Sequence, residues 1–526
     1  MSNIITFWRG LNYRLSILAF ISAAIVIISL CLIFNPVWQT NDDVAMSMIA
    51  HGYGIAAYGS PNLVFSNVLW GYVVRAIPSV NGVLGYSLAT MVVLLVFGWA
   101  TLYFLLRLGA GYFLSLLAVA LLLILPTTFP QFTVNAGLLT VAAIVGWQVY
   151  ARLGGAGILL ISCLLAFLGY LIRSAEFLLV LGVALPLLPW RVLRAQRQMQ
   201  IAILMLGVTI ASAAAFDYWS YSGLEWRHFK EINAATSPFI DYGIGKHTDT
   251  QLLARHNYTQ NDIHLISRWF FADPHLTDAK SLNALLSELP RQDINLQFGF
   301  VAINALFGNV LLPVILSALL LLGLMPRWRL VFLWVLCLVA LFTLGSLGRP
   351  SQLRVYVPLA SLLLIAPLMV GDCKRMWQRY LSTLTLLAAL VGSIYILLSE
   401  ASMHEQKVRQ VQRDVSALPA EIMVSWAMSF PYQFAFPVLS NDLNSRNIRL
   451  HSLDFFTLAP FSVATAEQKA GREMVQRIRT AEGVPIIAID SFVNNLRIYC
   501  KEHLNGRFYE KTAQKNSPLI RHVRCL

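Results

Sequence analysis

Charge is scarce in this chain. Only 12% of its 526 residues are Asp, Glu, Lys or Arg, about half the share of an average soluble domain, so a soluble enzyme of this length is excluded. Disorder is excluded by the opposite trait. Hydrophobic residues make up 57% and aromatics 12%, too much apolar surface to remain solvated. CxxC and HExxH metal spacings are absent, and so are basic patches interleaved with aromatics of the nucleic-acid-binding kind. Internal repeats are not apparent either, which removes the inverted-repeat signature of many transporters. Acid is the scarcer charge, with 26 Asp+Glu against 39 Lys+Arg and a net charge of +13. In so apolar a chain that excess reads as arginine of cytoplasmic loops rather than as a nucleic-acid footprint. Cysteine is sparse as well. Of the six, Cys31, Cys163 and Cys337 sit in apolar runs as core residues, and Cys373 lies in a basic loop. Cys500 and Cys525, in the polar C-terminal region, pair if that region faces an oxidising compartment.

What is present is a series of apolar runs near the length that spans a bilayer as helix. They fall at about 15–34, 82–106, 111–127, 137–151, 156–172, 176–190, 200–216, 299–325, 330–347, 355–371 and 381–399, eleven in all. Arg9 and Arg14 precede the first, and Arg107, Arg152, Arg191, Arg194, Arg197, Arg327, Arg329, Lys374, Arg375 and Arg379 fall in alternate loops. The positive-inside bias therefore places the N-terminus in the cytoplasm and the C-terminus outside. The first run is too long, and lacks a small-residue cleavage site, to be a removed signal peptide. The expected fold is an α-helical polytopic membrane protein. Its transmembrane domain, 1–399, carries external loops 35–81 and 217–298, and 400–526 form a small external α/β domain. That last reading rests on strand-like runs at Ile422–Trp426, Val484–Ile489 and Leu519–Val523 alternating with helix-like Ala466–Arg479 and Phe492–His503.

The chemistry-bearing residues fall on the external side. Asp42 and Asp43 follow the first span and open a helix-forming stretch. Either caps that helix, takes a proton from an acceptor hydroxyl, or holds a divalent cation. Arg173 and Glu176 sit at the tip of a hairpin barely long enough for two spans, and three residues apart they can pair; an arginine at that depth suits a phosphate through its forked donors. Arg349 and Arg354, beside Pro350 and Ser351, run against the positive-inside trend. With Tyr356 they suit an anionic lipid head group, and snorkelling is the plainer account. Arg75 is another external arginine near the membrane. In the 217–298 loop Trp226, Asn233, Asp241, Tyr242, Lys246 and His247 interleave polar and aromatic side chains, which suits a sugar or a solvated cap alike.

These features together resemble the GT-C superfamily of polytopic glycosyltransferases that use polyprenyl-phosphate sugars. The strings carrying the resemblance are Asn41-Asp42-Asp43-Val44-Ala45-Met46, Leu171-Ile172-Arg173, Glu225-Trp226 with Asn233, Asp241-Tyr242, Trp269-Phe270-Phe271-Ala272-Asp273 and Arg354-Val355-Tyr356. They are similar to a poorly characterised bacterial branch of that class, although Thr236 stands where its members have an arginine. The resemblance implies a transferase in the bacterial inner membrane that moves a sugar from a polyprenyl-phosphate donor to a periplasmic glycan or lipid-linked saccharide, such as the O-antigen of lipopolysaccharide. It makes Asp42 or Asp43 the base; the arginine chemistry read above adds Arg349, Arg354, Tyr356, Arg173 and Arg75 as the expected donor-phosphate ligands. Glu176 and the loop residues become substrate ligands, and membrane lipids and the two glycan substrates the partners. A polysaccharide polymerase or ligase, and more remotely a flippase, are the alternatives.

Overall fold

The computed structural model describes residues 12–246, 248–290, 294–349, 352–371, 375–416, 418–419, 421–441, 444–512 and 520–526. Arg9, His247, Pro350, Ser351, Cys373, Lys374 and Leu519 lie outside the described residues. The chain is predominantly helical. Helices α1 (Tyr13–Phe34), α2 (Asn41–His51) and α3 (Val68–Ala76) are followed by α4 (Gly85–Arg107), α5 (Tyr112–Thr128), α6 (Phe132–Leu153), α7 (Ala156–Ile172) and α8 (Ser174–Val183). After α9 (Arg197–Ser220) and α10 (Leu224–Asp241) come α11 (Leu296–Ala305), α12 (Leu312–Leu324), α13 (Trp328–Ser346), α14 (Leu353–Val370) and α15 (Met376–Ser416). Seven of these, α1, α4, α6, α9, α13, α14 and α15, are long and apolar enough to cross a membrane. Helices α5, α7, α8, α11 and α12 are apolar but shorter.

Helix α6 is the central post, buried along its hydrophobic length. Two glycines let α7 approach it closely. A Cβ on Gly146 would lie 2.1 Å from Ser162 Oγ, and one on Gly169 would lie 2.9 Å from the Ala136 carbonyl, the small-residue device of helix association in lipid. The run expected as one span over 299–325 is divided into α11 and α12. Its apolar composition continues across the break, while Gly308 sits in the turn and Pro313 starts the new helix where a missing N–H costs nothing.

Contacts between helix ends fall into two sets. At one end Arg152 donates to the Met369 carbonyl (2.9 Å) and Gln378 to that of Leu324 (2.9 Å). At the other, Asn67 N–H reaches Leu171, Asn295 N–H reaches Ser346 and Val37 N–H reaches Thr128. Each of these contacts joins ends that the arginine parity assigns to the same side.

The C-terminal unit is a five-stranded sheet of order β2-β1-β3-β5-β4, with β1 (Met423–Trp426), β2 (Leu450–Leu453), β3 (Val484–Ile487), β4 (Phe508–Thr512) and β5 (Arg521–Cys525). Strand β1 runs parallel to β2 and β3, and β5 antiparallel to β3 and β4. Helix α16 (Asp490–His503) connects β3 to β4. The strands expected at 422–426, 484–489 and 519–523 are found at 423–426, 484–487 and 521–525, the last shifted by two residues. Strands β2 and β4 are additional, too short or too polar to show an alternating pattern. The helix-like stretch 466–479 resolves into two short helices, Val463–Lys469 and Met474–Ile478.

The 217–298 loop shares a hydrophobic core with this sheet. Phe270 stacks at 5.1 Å on both Trp426 and Tyr499, and Asn261 and Asn495 bond to each other. The first external loop is stitched on through the backbone: Leu450 N–H donates to Gly54, Val463 N–H to Ile55 and Ala57 N–H to Phe461. Arg449 completes the seam by donating to the Gly52 and Ala56 carbonyls.

Cys500 in α16 and Cys525 at the end of β5 form a disulfide, with Cα atoms 5.8 Å apart and a sequence separation of 25. A loop of that size is worth about 3 kcal/mol by chain entropy. Cys525→Ser, or reduction, is expected to lower the denaturation midpoint of the solubilised protein accordingly; an unchanged midpoint would show that the bond contributes nothing to stability.

Candidate functional site

The two aspartates expected to share one role have separate ones. Asp43 is fully buried. Its Oδ1 accepts from the Tyr86 hydroxyl of α4 and from the Phe132 N–H at the start of α6, both at 3.0 Å, and its Oδ2 accepts from Thr40 Oγ1 at 3.1 Å. Neither aspartate caps α2: the N-cap residue is Thr40, and no side chain there bonds the free N–H groups. Successive residues on a helix point about 100° apart. With Asp43 directed into the bundle, Asp42 is turned outward into a cavity of about 500 Å³.

Five chain segments meet around that cavity: the first loop with Asp42 and Phe65, Trp269 from the long loop, Arg354 at the start of α14, the stretch after β1 with Met428 and Tyr432, and Asp454 after β2. Arg354 Nη1 lies 2.8 Å from Asp42 Oδ2, each side chain about one-third exposed (34% and 35%). Aromatic walls stand next to these charges. Trp269 and Val64, the neighbour of Phe65, hold φ at +58° and +68°, a left-handed conformation that costs a non-glycine residue about 1–3 kcal/mol and concentrates at functional sites. Arg173 lies behind Phe65, donating to its carbonyl at 2.9 Å with the guanidinium over the Phe65 and Phe132 rings (5.8 and 5.7 Å). The charges of Arg354, Arg349, Asp42 and Glu176 all reach Arg173.

Glu176 does not form the expected ion pair with Arg173. It is buried in the space Gly137 leaves between α6 and α14, and its Oε1 has no hydrogen-bond partner. Arg349 instead pairs with Asp241 at 2.8 Å and lies 5.7 Å over the Tyr242 ring, outside the cavity lining. Tyr356 is also off the site, because two residues along a helix turn a side chain to the opposite face; its hydroxyl donates to the Ala302 carbonyl of α11. Arg75 stands near Gly59 and His51 rather than the other arginines. Trp226 packs among Tyr221, Phe229 and Phe461, and Asn233 bonds back to the Phe229 carbonyl of its own helix. The Lys246 carbonyl accepts from Gln260, and the residue takes no part in the cavity.

Asp454 is the group that sequence reasoning missed. It follows a four-residue strand and meets Asp42 across more than 400 residues of chain, a proximity no local pattern encodes. It accepts from the Phe456 N–H at 2.7 Å and from Ser452. Burial, with the Asp42 charge adding to it, pushes its carboxyl up to about 6 against those bonds, in the range useful for proton transfer near neutrality. A cation-binding geometry is found elsewhere. Among the described residues Asp262, Glu502 and His503 form the one carboxylate–imidazole group close enough to share an ion, but Asp262 already serves a capping box and His503 at 2.8 Å.

Burial and the neighbouring Asp42 charge push Asp43 up to about 8, against the pull of its three donors. Unfolded, the group titrates near 4. Between those values the folded state holds a proton that the unfolded chain releases, so stability falls as pH rises, by on the order of 1 kcal/mol per unit. Asp43→Asn is expected to fold and to flatten the decline of melting temperature between pH 4 and 8. An unaltered slope would mean that another group causes it.

No protein-family model matches the chain, and no curated protein is significantly similar to it.

Proposed function

We propose that this protein is a polytopic membrane glycosyltransferase that moves a sugar from a polyprenyl-phosphate donor to a periplasmic glycan or lipid-linked saccharide at the outer face of the bacterial inner membrane. In this reading the chain crosses eleven times, α11 and α12 together counting as one broken crossing, with the N-terminus cytoplasmic and the sheet domain periplasmic. The observation that carries the proposal is the 2.8 Å pair of Asp42 and Arg354 at an aromatic-lined cavity. A base and a phosphate ligand already occupy adjacent positions, at the end of a membrane helix where a lipid-linked substrate arrives laterally.

The geometry supports an ordered exchange. The donor phosphate takes the Arg354 guanidinium, whose two-pronged donors fit phosphate oxygens as well as a carboxylate. Asp42 is thereby released to accept the proton of the acceptor hydroxyl. The acceptor oxygen bonds to the anomeric carbon, and the carbon–phosphate-oxygen bond breaks with its electron pair leaving on the polyprenyl phosphate. Arg354 neutralises that leaving group, with Arg173 adding positive potential from behind Phe65. Fixed donors to developing charge in a poorly solvated site are worth about 3–4 kcal/mol each. Phe65, Trp269 and Phe455 line the cavity with aromatic surface that suits a sugar ring.

The test uses purified protein in lipid with radiolabelled polyprenyl-phosphate hexoses and released glycan as acceptor. Asp42→Asn should reduce transfer by about 100-fold or more. Arg354→Lys retains the charge but not the fork, and should lower turnover while leaving thermal stability near wild type. If Asp42→Asn transfers normally and Asp454→Asn does not, the base is Asp454; normal rates in Asp42→Asn, Asp454→Asn and Arg354→Lys alike would end the proposal. A C-terminal reporter active only in the cytoplasm should be silent, and a strong signal would overturn the eleven-crossing topology.

A further inference from the structure

A second cavity, of about 450 Å³, lies between the long loop and the sheet domain. It adjoins the first across a single layer of chain. In β2 and the segment after it, Asp454, Phe455 and Phe456 face the first cavity while His451, Thr457 and Leu458 face the second. In the long loop Trp269 faces the first and Phe271 the second. Floor and rim differ in character. The floor is buried and largely apolar, with Ile232, Phe271 and Met474 1–3% exposed. One polar side chain in it is unsatisfied: His451 is 4% exposed, and its Nδ1 has no hydrogen-bond partner. Burial, reinforced by the Arg477 charge, holds that imidazole down at about 4, so at neutral pH the ring is uncharged. The rim is exposed and mixed in sign, with Glu225 and Lys469 already paired at 2.7 Å.

We infer that this second cavity binds the acceptor as a neutral, hydroxyl-rich saccharide, stacked on Phe271 and hydrogen-bonded to His451, with its reactive end directed past the 454–456 turn toward Asp42. The inference rests on the glycosyl-transfer reading and adds a place for the second substrate. The chemistry selects this class. An anionic ligand meets Glu225, Glu231, Asp278 and Glu473 against only Lys280 and Lys469, so a second lipid phosphate is disfavoured. A buried ring nitrogen left unbonded is costly unless a ligand satisfies it. An aromatic face beside a neutral donor–acceptor group suits a sugar ring, with its apolar face and its hydroxyl edge. Strand β2 holds His451 in the second cavity and the turn that follows it aims Asp454 at the first, so both substrates are registered by one piece of chain.

The experiment measures binding rather than turnover, by saturation-transfer NMR and calorimetry on the full-length protein in nanodiscs. The probes are maltohexaose, cellohexaose, chitohexaose and mannohexaose, with trilysine as the competing class. At least one hexasaccharide is expected to bind wild type and Asp42→Asn equally. Gln468→Trp at the exposed rim and Ala464→Trp deeper in should weaken it about tenfold or more, and His451→Phe several-fold, changes readable as shifts in Kd. Melting temperature serves as the folding check, and Gln468→Trp, being at the surface, keeps the test valid if Ala464→Trp misfolds. Failure of every hexasaccharide to bind, binding of trilysine alone, or wild-type affinity in Gln468→Trp would overturn the inference. The two proposals fail separately. Saccharide binding without any transfer leaves the cavity assigned and removes the glycosyltransferase, whereas normal transfer by Gln468→Trp removes the cavity and leaves the enzyme.

Discussion

The burial of Asp43 is the constraint on which the site depends. A carboxyl group with no solvent exposure must find its hydrogen bonds within the protein, and those bonds tie three elements together: α4 through Tyr86, α6 through Phe132 and the first loop through Thr40. That triple bond fixes the rotation of α2 about its axis. The orientation of Asp42 follows from helix geometry alone, and the meeting of Asp42 with Arg354, 312 residues later, needs only that α14 start where it does. Moving Asp43 by one position would turn α2 by about 100° and withdraw the outward carboxylate from the cavity altogether.

Around this anchor the external segments form one body. The backbone bonds between residues 54–57 and 450–463 are insensitive to side-chain identity. The aromatic contacts of Phe270 with Trp426 and Tyr499 supply apolar burial that neither the loop nor the sheet has alone. The positive potential is shared out as well. Arg354 and Arg349 each hold a carboxylate, Asp42 and Asp241, so the positive charge around Arg173 is balanced by neighbours from two different segments.

Much of the scaffold was legible because lipid imposes simple rules. Apolar runs of sufficient length marked the helices, and Arg354 drew attention as a cation that breaks the alternation of basic loops along the chain. The details that went unread are tertiary. Whether Asp42 or Asp43 faced the cavity was settled by Tyr86 and Phe132, far along the chain. The division of 299–325 was hidden because hydrophobicity does not change across Gly308. Tyr356 was grouped with Arg354 by closeness in sequence, where helical spacing sends the two apart. Asp454 carried no signal because β2 is four residues long and exists through pairing with β1. Trp226 and Asn233 looked like ligands because polar and aromatic residues alternate there; in the folded chain the first is a cluster residue and the second bonds its own helix.

Helix α15 has a consequence for where chemistry can occur. Its 41 residues make a rod of about 60 Å, twice the roughly 30 Å of a hydrocarbon core. Val411 and Val415 are buried, and Lys407 stands 4.5 Å over the Phe434 ring of the sheet domain. The domain is therefore mounted on a strut rather than hung from a tether, and its height above the lipid is set by the rod. In the glycosyl-transfer reading proposed above, bilayer thickness becomes a variable of the site: a thicker membrane would lift a lipid-borne phosphate relative to Asp42 and a thinner one would lower it, with tilting as the protein's answer. On that reading, acyl-chain length of the surrounding lipid would tune the alignment of donor and base, acting through a helix that touches neither.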